Sequence, residues 1–201
     1  AADELGRVDA VAGDGDHGRG MVKGTSAALQ AAELADRSGA GAASVLTAAG
    51  EAWASQAGGT SGVLWGAALT ALGKRLGDDP EEITGADVAA AVRAGLDAMT
   101  ALGKASVGDK TMVDALVPFV ERLDGETAAG RSLVDAWQSA ADDAEAAAQA
   151  TADLKPKVGR ARPLAERSLG TPDAGALSFA LCARTAAAVL ANTDNTAGST
   201  R

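Results

Sequence analysis

The chain has 201 residues, a net charge of −9 and a pI of about 4.6. This acidic balance disfavours nucleic-acid binding and attachment to anionic membranes, since both depend on basic clusters, and no apolar run reaches the roughly 18 residues of a membrane span. The single cysteine, Cys182, excludes an internal disulfide and favours a cytoplasmic protein. Hydrophobic residues make up 47% but aromatic residues only 2%; because alanine forms helices well and lets them approach closely, we predict an all-α fold.

Helical periodicity runs through most of the chain and is interrupted by segments rich in glycine. Helices are predicted at about 1–8, 21–36, 43–56, 63–72, 84–99, 112–120, 132–154 and 174–191. The first looks like the end of a truncated helix, and Thr84 or Asp87 is expected to cap the fifth. The sixth has apolar residues around much of its axis and should be central. We predict one domain over residues 1–192 and a polar tail over 193–201.

Four loops alternate with these helices at intervals of about one helix pair. Antiparallel neighbours return the chain to the same end after every second helix. The four loops are therefore expected to meet at one rim, together with helix N-termini, and to form a binding site there.

The first loop is rich in acidic residues. Asp9, Asp14 and Asp16 fall within eight residues and alternate with glycines. Crowded carboxylates are unfavourable unless a cation neutralises them, and oxygen ligands select Mg²⁺ or Ca²⁺ over zinc. A standard EF-hand loop is excluded, because Gly18 and Thr25 occupy ligand positions. Mg²⁺ often keeps coordination positions for phosphate oxygens, so a metal–nucleotide site is predicted, with an acidic surface turn as the alternative.

His17, the only histidine, is open to three interpretations in this loop: metal ligand, phosphate contact or turn residue. Direct ligation is disfavoured, since imidazole suits transition metals better than Mg²⁺.

The second loop, Gly58-Gly59-Thr60-Ser61-Gly62, opens a helix. Its backbone N–H groups and hydroxyls could cradle an anion, or the segment could be a flexible turn with an N-cap. A P-loop and a Rossmann motif are both excluded, since neither consensus is present.

The third loop runs from Gly103 to Met112. Asp109 or Thr111 is a candidate cap for the next helix, whereas Lys104 and Lys110 are candidates to face phosphate. Met112 could press against a flat base, although a methionine in this position is more often part of the core.

The fourth loop carries Arg160, Arg162 and Arg167. Guanidinium groups suit phosphate oxygens or a purine face. The alternative is that these arginines lie at the surface and pair with acids such as Glu166.

Taken together and in this order, the loops resemble the nucleotide-binding domain of dihydroxyacetone kinases, called the L subunit when it is a separate chain. The matching segments are LGRVDAVAGDGDHG, GGTSGVLWG, GDKTMVDALVP, GRA and RSLGTPDAGA. GDGDHG combined with GDKTM at this separation is highly specific. Ala174 stands where the family usually has proline.

This resemblance implies a barrel of about eight antiparallel helices, with the first helix truncated here, and a nucleotide bound at one rim. It implies two Mg²⁺ ions on Asp9, Asp14 and Asp16. The implied contacts to ATP or ADP are His17, Gly18, Arg19, Gly20, Gly59, Thr60, Ser61, Gly103, Met112, Arg160, Asp173, Ala174 and Gly175.

The implied activity is transfer of a γ-phosphoryl group to dihydroxyacetone or a related short ketose, with no covalent enzyme nucleophile. The ketose would be held on a separate K domain, through which a homodimer is also conceivable. One version of the family uses exchangeable ATP, and another retains ADP for rephosphorylation by a phosphotransferase-system protein. The second loop reads closer to the ATP-dependent kinases. A nucleotide-sensing helical protein without phosphoryl transfer is the remaining alternative.

Overall fold

The computed structural model describes residues 1–79, 82–159 and 161–198, with side chains in the last range described as far as residue 193. Within these residues the chain forms nine α-helices and two short 3₁₀ helices, and none of them lies in a strand. The all-α prediction is therefore confirmed.

The chain divides into two compact units, Ala1–Ser106 and Val107–Arg201. The first unit contains α1 (Ala2–Asp9), α2 (His17–Arg37), α3 (Ala42–Ala57), α4 (Gly59–Leu76) and α5 (Gly85–Gly103). The second contains α6 (Val113–Ala128), α7 (Leu133–Ala150), a 3₁₀ helix (Thr151–Asp153), another (Arg162–Leu164), α8 (Ala165–Ser168) and α9 (Ala174–Gly198).

In the first unit each helix packs on the next along the chain, and glycines set the closeness of these contacts. A side-chain carbon on Gly66 of α4 would lie 2.6 Å from the carbonyl oxygen of Gly50 on α3. Between α2 and α3, a side-chain carbon on Gly24 of α2 would lie 2.7 Å from Cδ1 of Trp53. The Trp53 ring stacks on Trp65 with centroids 4.8 Å apart. Glycine is thus used here for space between helices rather than for backbone freedom.

In the second unit α7 packs against both α6 and α9. The face of α7 that contributes to the core consists of alanines that are fully buried: Ala136, Ala140, Ala141, Ala144 and Ala148. Phe119 of α6 meets the rings of Trp137 and Phe179 edge-on, at centroid distances of 5.0 and 5.4 Å. Phe119, Val120 and Leu123 are almost completely buried, so α6 is central to this unit as predicted.

Several helix boundaries differ from the predictions, and α6 ends at Ala128 rather than near Val120. Helix α2 begins at His17 rather than near Met21, and α4 begins at Gly59 rather than after a five-residue break. Helix α9 continues to Gly198, past the predicted end near residue 191 and into the predicted tail. The cap of α5 is as predicted, since Thr84 accepts the N–H of Asp87 in a capping box. The assignment of residues 1–192 to one domain stays a prediction.

One segment is long and apolar enough to cross a membrane by length and composition alone. It covers Ala174–Thr193 and has a mean hydropathy of 1.6. Ser178, Arg184 and Thr185 interrupt this segment, so it is not an uninterrupted apolar run and the absence of a membrane span stays a prediction. This helix packs on α6 and α7 and buries Ala176, Ala180 and Ala183. A helix in the core of a folded domain meets the same criterion of length and composition.

Candidate functional site

The three aspartates of the first loop lie together. Asp9 ends α1, and Asp14 and Asp16 lie in the loop that leads to α2. Each offers a carboxylate oxygen, and these oxygens lie within 4.8 Å of one another. Asp9 is partly buried, whereas Asp14 and Asp16 are exposed, so the cluster is open to solvent. Three hard oxygen donors at this spacing fit a hard divalent cation. Metal binding itself stays a prediction.

Glycine allows this loop to fold tightly beside α1. The N–H of Gly13 donates to the carbonyl oxygen of Asp9 at 2.6 Å. A side-chain carbon on Gly13 would overlap Oδ1 of Asp9 and lie 2.9 Å from its Cγ. Gly15 has a φ of 75°, a conformation that favours glycine. The backbone of the loop at Gly13 is therefore in direct contact with the Asp9 carboxylate.

The segment His17–Gly20 is the first turn of α2, and its interpretation as loop is wrong. The N–H of His17 points to Oδ2 of Asp9 at 3.4 Å. A side-chain carbon on Gly18 would overlap the carbonyl oxygen of Ala2, and one on Gly20 would lie 3.2 Å from the carbonyl oxygen of Ala57. These glycines hold the N-terminus of α2 close to α1 and to the end of α3. Arg19 is exposed on the same turn.

The second loop is shorter than predicted, since Gly58 alone separates α3 from α4. Gly58 and Gly59 have φ values of 68° and 63°, and a side-chain carbon on either would meet nothing within 4 Å. Thr60 and Ser61 lie in the first turn of α4. Because Gly58 has no side chain to cap this helix, an anion can approach its first N–H groups directly. The contact of Gly20 with Ala57 places the N-terminus of α2 beside this turn.

Gly103, the last residue of α5, belongs to the same unit. A side-chain carbon there would lie 3.2 Å from Cδ2 of Leu64, which is one turn into α4. The first unit therefore assembles the aspartate cluster, the starts of α2 and α4, and the end of α5. Lys104 follows in the left-handed conformation, with a φ of 57°, and is exposed.

The second unit brings together Met112 and the turn formed by residues 173–175. Met112 precedes α6 and is 6% exposed. A side-chain carbon on Gly175 would lie 3.4 Å from Cβ of Met112, so the 173–175 turn packs on this methionine. Asp173 immediately precedes α9, and its Oδ1 accepts the N–H of Ala176 at 2.8 Å. The turn forms although Ala174 replaces the proline usual in the family.

Burial raises the pKa of Asp173 to about 6. The neighbouring carboxylate of Asp114 raises this pKa further, whereas the N–H of Ala176 and the ammonium of Lys110 lower it. A carboxyl that titrates this close to neutral pH is a candidate functional group.

Lys110 is buried, which the sequence did not indicate. It is 5% exposed, and its Nζ donates to the carbonyl oxygens of Leu154 and Ser168 at 3.0 and 2.7 Å. The prediction that Lys110 faces phosphate is thus replaced by a role within the protein. Neither Asp109 nor Thr111 caps α6 as a conventional N-cap, since Met112 occupies that position. The Thr111 hydroxyl accepts the N–H of Val113 at 3.2 Å. Asp114 holds this loop instead, because its carboxylate accepts the N–H groups of Gly108 and Thr111. In the sequence, this role was indicated only by the position of Asp114 two residues after the GDKTM segment.

The arginines of the fourth loop are only partly described. Arg160 lies outside the described residues, so its predicted nucleotide contact stays a prediction. Arg162 and Arg167 are exposed. Glu166 pairs with Lys155 at 2.6 Å, and its suggested pairing with an arginine such as Arg160 stays a prediction.

Comparison with known proteins gives a consistent result. The model of the DAK2 domain matches residues 11–188. A D-erythrulose kinase of Mycolicibacterium smegmatis is 65% identical over 93% of this chain and 32% of its own length. An L-erythrulose kinase of Pectobacterium atrosepticum is 54% identical over 98% of this chain and 33% of its own. The chain thus spans about a third of the length of these relatives.

A relative of similar size is also found. The ADP-binding subunit DhaL of a PEP-dependent dihydroxyacetone kinase of Listeria innocua is 38% identical, over 88% of this chain and 82% of its own. The dihydroxyacetone kinase of C. freundii superimposes with a TM-score of 0.67 at 31% identity, over 93% of this chain and 31% of that one. Its complex with AMP-PNP and Mg²⁺ gives the same TM-score at 29% identity.

Proposed function

The chain belongs to the DAK2 domain family, and from that premise we propose that it is the Mg-nucleotide-binding part of a kinase that phosphorylates dihydroxyacetone or a related short ketose. The observation that carries the proposal is the approach of the Asp9, Asp14 and Asp16 oxygens to within 4.8 Å. Nothing in a helical scaffold requires three carboxylates at this spacing, and their repulsion is offset when a cation binds.

The chain's own residues would act by holding and orienting the nucleotide. The aspartates would hold two Mg²⁺ ions, which when bound neutralise charge on the phosphates and on the transferred group. The exposed N–H groups at the start of α4, with Thr60 and Ser61, would bind phosphate oxygens, as would the first turn of α2 from His17 to Gly20. Helix N-termini stabilise negative charge, so both turns favour a polyphosphate beside the aspartates.

The base would be held by the remaining predicted contacts. Gly103 and Met112 would contact the adenine, and Arg160 and the Asp173–Ala174–Gly175 turn would close over the nucleotide. Met112 suits a flat base because its thioether is apolar and polarisable. Phosphoryl transfer of this kind depends mainly on positioning and charge neutralisation, so no covalent nucleophile is required of this chain.

The acceptor would be bound elsewhere. The relatives named erythrulose kinases are about three times the length of this chain, and we propose that a K domain, in the same polypeptide or in a separate subunit, holds the ketose. A homodimer would form through that K domain. We place the assembly in the cytoplasm.

ATP is proposed as an exchangeable substrate rather than ADP as a resident cofactor. Two relatives at 65% and 54% identity are named kinases, and a PEP-dependent subunit is less similar at 38%. Dialysis of the purified chain against a chelator, followed by nucleotide analysis, separates the two versions. Release of ADP supports exchange, whereas ADP retained through dialysis favours the phosphotransferase-dependent version.

Nucleotide binding is tested by calorimetric titration with Mg-ATP and Mg-ADP, with and without EDTA. We expect saturable binding that EDTA and Asp14→Ala abolish. Asp36→Ala is the matched control, since it removes an exposed aspartate from the end of α2 that is far from the cluster. Binding that persists with Asp14→Ala would reject the metal-dependent site. No binding by the unsubstituted chain would reject the kinase proposal in favour of a helical interaction protein.

Phosphoryl transfer requires a second assay. The chain is mixed with a K domain of the family, and phosphorylation of dihydroxyacetone, D-erythrulose and L-erythrulose is measured. We expect activity that neither component shows alone. A mixture no more active than its parts would count against the proposed division of labour.

A further inference from the structure

Lys110 occupies an unfavourable position in the second unit. It is buried, and its φ of 61° lies in the left-handed region that non-glycine residues rarely adopt. Burial of an ammonium is costly unless hydrogen bonds compensate, and burial lowers the pKa of Lys110. Its Nζ compensates by binding the carbonyl oxygens of Leu154 and Ser168, which are 44 and 58 residues away along the chain. One side chain thus ties three separate segments together.

Asp114 fixes the loop on both sides of this lysine. Its carboxylate accepts the N–H of Gly108 at 2.5 Å and the N–H of Thr111 at 2.7 Å. Asp114 is 6% exposed and lies in the first turn of α6. The left-handed backbone of Lys110 therefore lies between two residues whose N–H groups bind the Asp114 carboxylate, and Met112 follows two residues later.

The 173–175 turn is tied to the same group of segments. The N–H of Asp173 donates to Oγ1 of Thr151 at 2.7 Å, and that hydroxyl donates to the carbonyl oxygen of Ala148 at 2.6 Å. The carboxylate of Asp173 also interacts electrostatically with the Lys110 ammonium. The loop that carries Met112 and the turn that carries Gly175 are thus held by one buried polar network.

We propose that Lys110, supported by Asp114, is a positioning residue that sets Met112 and the 173–175 turn at the spacing required for recognition of the nucleotide base. This inference rests on the proposed function. Lys110 acts through the backbone segments that it joins and does not touch the nucleotide. A direct phosphate contact is disfavoured because two carbonyl oxygens already engage its ammonium, and it is the main competing role.

The test compares base selectivity, because a general loss of stability affects all nucleotides alike. Dissociation constants of Mg-ATP and Mg-GTP are measured by calorimetry for the unsubstituted chain, Lys110→Met, Lys110→Arg and Lys157→Met. Lys157 is the control, since it carries the same charge near Asp109 but is exposed. We expect Lys110→Met to raise the constant for Mg-ATP about tenfold or more and to reduce the ATP-to-GTP preference.

The conservative and control variants sharpen the result. Lys110→Arg keeps a cation that can bind carbonyl oxygens, and should retain most of the base preference. Lys157→Met should leave both constants within about twofold, as expected for an exposed charge. If Lys110→Met does not fold, Asp114→Asn provides the second perturbation, since it weakens the two bonds that flank Lys110 while keeping the shape of the side chain.

The outcomes separate this inference from the proposed function. Equal weakening of ATP and GTP in Lys110→Met indicates either direct phosphate contact or a general loss of stability, and in both cases overturns the positioning role. An unchanged preference in both Lys110→Met and Asp114→Asn, or a native chain that binds ATP and GTP equally, also overturns it. No Mg-nucleotide binding by the native chain overturns the proposed function first, and this inference with it.

Discussion

The carboxylate of Asp9 rests directly on the backbone of Gly13. A side-chain carbon on Gly13 would overlap Oδ1 of Asp9 and lie 2.9 Å from its Cγ, and also 2.9 Å from the carbonyl oxygen of Asp9. The N–H of Gly13 binds that same carbonyl oxygen. The absence of a side chain at residue 13 is therefore a condition for the position of the Asp9 carboxylate beside Asp14 and Asp16.

Gly13→Ala should displace the Asp9 carboxylate and weaken Mg²⁺ binding. Because the overlap involves both the side chain and the backbone of Asp9, rotation of the side chain alone does not relieve it. We expect the dissociation constant for Mg²⁺, measured by calorimetry, to rise about tenfold or more. Gly125→Ala is the control, since a methyl group there meets nothing within 4 Å and should stabilise α6 by up to about 1 kcal/mol. Equal Mg²⁺ affinities in the native chain and Gly13→Ala would contradict the role of Gly13.

Asp14→Asn should stabilise the chain in the absence of metal and remove its response to metal. It eliminates one of three mutually repelling charges, which should raise the melting temperature in EDTA by about 2 °C. Mg²⁺ should raise the melting temperature of the native chain, since a ligand that binds the folded state stabilises it, but not that of Asp14→Asn. The measurement is thermal unfolding followed by circular dichroism. If Mg²⁺ still raised the melting temperature of Asp14→Asn, Asp14 would not be required for Mg²⁺ binding.

Some features of the fold could be predicted because local chemistry decides them. The alanine-rich composition and the periodicity of α6 predicted helices, and Thr84 was identified as one of two candidate caps from its residue type. The clustering of Asp9, Asp14 and Asp16 was also local, since these residues lie within eight positions. Short separation along the chain limits where such side chains can go.

The starts of α2 and α4 could not be predicted in the same way. Gly18, Gly20 and Gly59 suggested loops, because glycine is a poor helix former. Gly18 and Gly20 instead face the backbones of α1 and α3; a side-chain carbon would not fit on Gly18 and would be closely packed on Gly20. Tertiary contacts of this kind override local propensity, and a single sequence does not reveal them.

The network around Lys110 was missed for a related reason. Its partners, Leu154 and Ser168, offer only backbone carbonyl oxygens, which leave no trace in residue type. A lysine beside glycines in an otherwise acidic protein suggested a phosphate contact. Only the folded arrangement shows that its charge is used within the protein.

Asp173→Asn should stabilise the nucleotide-free chain more at pH 7.5 than at pH 5. The pKa of Asp173 is about 6 in the folded state, against a usual value of 3.8. The folded state therefore binds more protons between these values, so this group's contribution to stability falls as pH rises from about 4 to 6. Asparagine removes the buried charge, and its side-chain oxygen can still accept the N–H of Ala176.

The expected difference for Asp173→Asn is about 2–3 kcal/mol in unfolding free energy at pH 7.5, shrinking towards pH 5. Urea unfolding at several pH values measures it. Asp97→Asn is the control, because it makes the same change at an exposed aspartate on α5. A difference for Asp173→Asn that is the same at both pH values would contradict the assignment of the raised pKa to Asp173.

Ala144→Leu should destabilise the second unit, because the core face of α7 is built from alanines with no space around them. Ala144 is fully buried, and α7 packs on both α6 and α9. Three additional carbon atoms must push these helices apart, at a cost of about 1–3 kcal/mol. Ala146→Leu makes the same change on the exposed face of α7 and should cost less than about 0.5 kcal/mol. Urea unfolding of the pair isolates packing from helix propensity, and equal effects would show that α7 tolerates larger side chains on its core face.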